Sequence, residues 1–277
     1  MATPINPDLV MTGIKLKLSR ARAVLDALMD DVTRVLEAGS EGPPRLSADG
    51  TFSSFYVPRE VPSPAWGVWL GEIAHNLRSA LDNTITVLTL RNGAFPMRDN
   101  AFPVCLKQSE WRNRVRKKWP AEGPLANVSR ADFDLIEGLQ PYQGVDLSRD
   151  PDGATRKPLA ALTQVNNADK HAALHAAVAC LVPHAEQRLL SIEPEMPVEV
   201  VWRREPLTAL ERGAEMTRYR LLGPIPSKFR VLINWPLAVR FTDHMGRSVG
   251  FHELPDMWDA VLHVVSHWDE DLRAYQA

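Results

Sequence analysis

Near residue 183 the spacing of apolar residues changes from about 3.6 to about 2, and no all-helical or all-strand fold accommodates both halves. Before that point the apolar positions recur by three and four. After it they alternate. The switch predicts an α+β protein: an N-terminal helical bundle followed by an antiparallel meander sheet covered by a C-terminal helix. The expected regions are 1–183, a helical bundle with a polar helix pair, and 184–277, an antiparallel sheet plus C-terminal helix. The two can pack as one unit.

Met11, Ile14, Leu18, Ala21, Leu25, Leu28, Val32 and Val35 form a single apolar seam, so a first long helix is expected there, stopping near "AGSEGPP". "TFSSFYVPREVPSP" reads as an extended crossing segment. A second helix follows, with Ser63 as N-cap and Pro64 at the first helical position. Its stripe is Trp66, Leu70, Ile73, Leu77, Ala80, Leu81 and Leu88. "SRADFDLIEG" is a short helix with Ser129 and Asp132 at capping-box spacing. A further helix is expected from Pro158 to Val182, stopped by Pro183.

Five strands are expected, in "PVEVVWRR", "EMTRYRLL", "KFRVLINW", "LAVRFTD" and "RSVGFHE", with "DHMG" as a hairpin turn. The chain closes with a helix marked by Leu254, Trp258, Val261, Val265, Trp268 and Leu272. His263 and His267 fall opposite that stripe, facing solvent.

Net charge is −2, which gives no global field for nucleic acid or an anionic membrane. No apolar run approaches the roughly 18 residues of a membrane span. The first twenty residues carry no long apolar h-region, so a cytoplasmic protein is expected. Cys105 and Cys180 sit among apolar neighbours and read as buried, inert thiols. No phosphate loop, dinucleotide fingerprint or nucleophile elbow is present, and no cofactor is expected. "WRNRVRKKW" is a dense basic run in which Trp111, Val115 and Trp119 form an apolar ridge. It reads as an amphipathic helix with solvated charges rather than an RNA surface.

Chemistry concentrates in two stretches. "GEIAHNLRSALDN" places Glu72, His75, Asn76, Arg78 and Asp82 on one helix. "NNADKHAALH" holds Asn166, Asp169, Lys170, His171 and His175, with both histidines beside apolar positions. A buried polar group needs a partner. The two stretches are therefore expected to face one another in a shared polar layer. Glu72, His75, Arg78, Asp82, Asp169, Lys170 and His171 are the candidates for chemistry; Asn76, Asn166 and His175 are candidates for ligand binding. A metal is not favoured; if one binds, its ligands would be His75, His171 and His175.

"GEIAHNLRSALDN", a following "AFPV", then "LQPY" and "NNADKH", resemble a widespread set of uncharacterised bacterial proteins that share HNLRSALD and a later DKH. The likeness covers roughly residues 66 to 175 and implies a shared architecture. A weaker likeness is to the HEPN superfamily of helical bundles, many of which are metal-independent ribonucleases. Their signature is an Arg followed four to six residues later by a His, and neither polar stretch contains that pair. The reading is an intracellular binding or regulatory protein with a His/Asp/Arg cluster between two helices. Its partner would be a small ligand or a protein, with nucleic acid less favoured and no membrane. The alternatives are a HEPN-like ribonuclease and a His/carboxylate metal-dependent hydrolase.

Overall fold

The seam of the first helix is fully realised. Helix α1 spans Pro7–Glu37, and all eight seam residues from Met11 to Val35 are buried. Two short strands follow, β1 (Arg45–Leu46) and β2 (Phe52–Phe55). Helix α2 is Ala65–Arg91; the Ser63 hydroxyl accepts from Ala65 N at 3.2 Å, as its N-cap role requires. The computed structural model describes residues 5–38, 44–146, 148–150, 152–171, 175–180, 190–193, 195–203, 210–224, 230–233, 237–243 and 248–273.

The basic run forms one tight element. Helix α3 (Gln108–Trp111) leads into a π turn over Arg112–Arg116. Trp111 and Val115 are buried, and Phe133 packs against Trp111 and Trp119 at ring distances of 5.3 and 4.7 Å. Phe133 belongs to helix α4 (Arg130–Gly138), whose cap is the expected Ser129. Asp132 N donates to the Ser129 hydroxyl at 3.2 Å, and that hydroxyl donates to the Asp132 carboxylate at 2.6 Å.

Helix α5 is Pro158–His171, and the expected continuation to Val182 is not formed. His175–Cys180 is instead strand β3. The correction has a physical basis. Leu159, Leu162 and Val165 mark a helical face that does not line up with the apolar positions after Lys170, because the two sets belong to different elements. The alanine-rich stretch suggests helix locally, but pairing with a distant strand decides the outcome.

The remaining strands are β4 (Leu190–Glu193), β5 (Val198–Arg203), β6 (Glu215–Leu221), β7 (Arg230–Ile233), β8 (Leu237–Thr242) and β9 (Ser248–Gly250). Helices α6 (Leu254–Ser266) and α7 (Glu270–Arg273) end the described chain. Every ladder is antiparallel. The strands follow chain order only in part, where a meander would follow it throughout. The orders are β1-β2-β6-β5, β3-β8-β9 and β4-β7. The crossing segment is thus a strand: Phe52 stacks on Tyr219 of β6 at 5.8 Å. The class is α+β, with an N-terminal helical region, antiparallel sheet and C-terminal helix.

Two compact units are formed. One comprises Met1–Ala27, Gly67–Leu174 and His252–Ala277; the other comprises Leu28–Trp66 and His175–Phe251. Within the first, α6 packs on α5, and the Trp258 indole donates to Leu18 O at 3.2 Å. All the paired strands lie in the second. No described helix is long and apolar enough to cross a membrane.

Candidate functional site: a polar cleft between two helices

Helix α2 is not a solvated helix with one dry stripe. Of its residues only Ala65, Val68, His75 and Arg91 are exposed. Glu72, Asn76, Arg78 and Asp82 are all half-buried, so each must be satisfied locally. Glu72 accepts from Arg20 Nε of α1 at 2.6 Å. The Asn76 amide donates to Glu72 O one turn back at 2.9 Å.

Arg78 and Asp82 form a bidentate pair one turn apart: Nε donates to Oδ2 at 3.2 Å and Nη2 to Oδ1 at 2.7 Å. Both also hold the same backbone. Arg78 Nη2 donates to Phe102 O at 2.5 Å, and Phe102 N donates to Asp82 Oδ1 at 2.9 Å. The pair therefore clamps the "AFPV" segment onto α2 by both hydrogen-bonding groups of one residue.

Helix α5 approaches α2 closely. A Cβ built on Gly71 would stand 2.2 Å from Asp169 Oδ1 and 2.6 Å from its Cγ. Glycine inside a helix costs about 1 kcal/mol relative to alanine, and here the missing methyl is the room that Asp169 occupies. Gly71→Ala is therefore expected to be coupled to Asp169 by about 1 kcal/mol or more. In Asp169→Ala protein it should raise stability, and in the native background it should not. Equal effects in both backgrounds, measured by urea denaturation, would show that the Asp169 carboxylate swings aside without cost.

One turn before Asp169 the same helix opens onto a cleft of about 660 Å³. Arg78 and Asp82 line it from α2, and Thr163, Asn166 and Asn167 line it from α5. Asn113, Arg114 and Lys118 line it from the basic turn and Asp99 from the segment before Phe102. Asn166 is 5% exposed, and its side-chain amide is not among the fully buried polar atoms, so it opens onto the cleft. Water can satisfy such an amide in the free protein, and a ligand that displaces the water must supply polar groups of its own.

The residues expected in a shared polar layer fall at different places in the fold. Arg78, Asp82 and Asn166 share the cleft, and Asp169 lies against α2. Asn76 is tied to its own helix and Glu72 to α1. His75 is exposed and lines no part of the cleft. His175 lies on β3, in the other unit, and not on α5. The side chains of Lys170, His171 and His175 fall outside the described residues. Among the described residues no group of three metal-ligating side chains occurs.

Sequence reasoning missed Thr163, Asn167 and the cleft-facing part of the basic run. The packing of that run against α4 brings Arg114 and Lys118 into the lining that α2 and α5 share. The signal available was the i, i+4 spacing of Arg114 and Lys118, with Asn113 next to Arg114, beside the buried ridge. Cys105 is buried and free, and burial pushes its thiol up to about 11, so it is no nucleophile. No family model, curated protein or solved structure matches the chain.

Proposed function

We propose that this chain is a binding protein that takes a small polar ligand into the cleft between α2, α5 and the basic turn. The observation that carries the reading is Asn166: a residue of α5 that is largely buried yet opens its amide onto a cleft of suitable volume. The clamp from Arg78 and Asp82 to Phe102 supports it by holding one wall in place. Kinship with the HNLRSALD set belongs to the same proposal, with Arg78 and Asp82 of that motif as the clamp. So does a cytoplasmic setting, which the net charge of −2 suits. No histidine lines the cleft among the described residues, and no specific observation favours the ribonuclease or metal-hydrolase readings.

The test is thermal stabilisation across a panel of phosphorylated, carboxylated and neutral polar metabolites, run on wild type and Asn166→Leu. Leucine is similar in size and no described hydrogen bond ties the amide to another part of the fold, so the variant should keep its stability. Stabilisation by at least one compound should vanish in it. A hit unaffected by the substitution, or no hit at all, would sink the proposal.

A further inference from the structure

Resting on that reading, we propose that the ligand is a small phosphate monoester with a polyhydroxylated body. Its phosphate would lie between Arg114 and Lys118, and its hydroxyls against Asn166 and Asp99.

The argument starts from charge. Arg112, Arg114, Arg116, Lys117 and Lys118 crowd five cations into seven residues. Like charges at i, i+4 destabilise a helical turn by a few tenths of a kcal/mol, so Arg114 and Lys118 are not placed together for stability. Both line the cleft. Arg116 is neutralised elsewhere, by Glu137 at 2.9 Å. Arg114 is paired with Glu110 through Nη1, which leaves its Nε and Nη2 donors without a described acceptor. Lys118 has no acidic partner among the described residues. Its stem is laid against Gly123, where an added Cβ would come within 3.1 Å of Lys118 Cβ and 3.2 Å of its Cδ. Gly123 also lines the cleft, so this contact holds the lysine stem along the wall.

The acids facing these cations do not cancel them. Asp82 is already paired with Arg78 and accepts from Phe102 N. Asp99 is exposed, as Arg114 and Lys118 are, and makes no ion pair with a described residue, so it leaves both cations available. Two cations of the basic turn are thus available to the cleft. A phosphate monoester carries about −1.5 to −2 at pH 7, which matches them; a carboxylate carries half of that. Arginine supplies a fork of donors and lysine a point charge, both suited to phosphate oxygens.

Apart from Arg78, the rest of the polar lining is neutral or acidic. Asn166 and Asn167 offer both donors and acceptors, and Asp99 only acceptors. Vicinal hydroxyls, each donor and acceptor, complement that set. An apolar body would leave the Asn166 amide unpaired.

Calorimetric titration tests this with glucose 6-phosphate, ribose 5-phosphate, inorganic phosphate, glucuronate and glucose. At least one sugar phosphate should bind, with glucuronate about tenfold weaker or more, a difference of about 1.4 kcal/mol. Lys118→Gln and Asn166→Leu should each weaken the sugar phosphate about tenfold or more while leaving the unfolding transition cooperative. Binding should also weaken as pH falls below about 6, where the phosphate gains a proton. Glucose or glucuronate binding as tightly as the phosphate esters would overturn the assignment. So would a salt-sensitive complex with single-stranded RNA that needs Lys118 but not Asn166. If no ester binds while another metabolite gives an Asn166-dependent hit, the phosphate assignment falls and the binding reading stands. If no compound depends on Asn166, both fall.

Discussion

Phe133→Ala is expected to cost about 3–5 kcal/mol, the range for emptying a large aromatic site in a core. Phe133 is fully buried, with the Trp111 and Trp119 rings tilted against it at 5.3 and 4.7 Å. Aromatic pairs add to the area term, and here one ring serves two partners. Arg130 adds a cation over both Phe133 and Trp119, at 5.8 and 5.5 Å. The consequence reaches the cleft. The ring is what seats the basic turn on α4, so its loss should loosen Arg114 and Lys118 as well as the core. Urea denaturation followed by tryptophan fluorescence measures the first effect. A loss below about 1 kcal/mol would mean that the turn is held by something else.

Arg78→Ala is the second large effect, about 1.5–3 kcal/mol, because hydrogen bonds to charged groups are lost and half-buried partners are left without donors. The substitution removes three hydrogen bonds, two to Asp82 and one to Phe102 O. Asp82→Ala removes the same pair and the bond from Phe102 N. The two losses should therefore not add: the double variant should be more stable than the sum of the singles predicts, by about 1 kcal/mol or more. Arg78→Lys should rescue little, since an ammonium cannot make the bidentate contact and reach the carbonyl together. Amide exchange at Phe102 should accelerate in each single variant. Strict additivity would show that the pair and the backbone clamp are independent features.

How far the sequence carries these readings depends on whether the deciding contacts are local. Helix α1 was legible because its seam repeats eight times without interruption, and every seam residue is buried. The cap at Ser129 was legible because both partners lie within one turn. Strand β3 was not legible. Its alternation is carried by small residues, and its partner β8 begins 57 positions after Cys180. The strand in "TFSSFYVPREVPSP" was hidden in the same way, since β2 pairs with β6 from across the chain. In the cleft, the polar composition of α2 showed that partners were needed but not which ones. Asp82 takes a backbone amide twenty residues on, and Glu72 takes an arginine fifty-two residues back. The histidines drew attention by residue type, whereas the asparagines, less conspicuous in a sequence, occupy the wall.

The central claim is that Asn166 reads a ligand and does not support the fold. The most direct measurement is the side-chain amide resonance of Asn166 during titration with glucose 6-phosphate, with the Tm of Asn166→Leu measured alongside. The account predicts a saturable shift of that resonance and a variant as stable as wild type that no longer binds. An unmoved resonance under saturating ligand, or a variant that loses several degrees of Tm and binds as before, would contradict it.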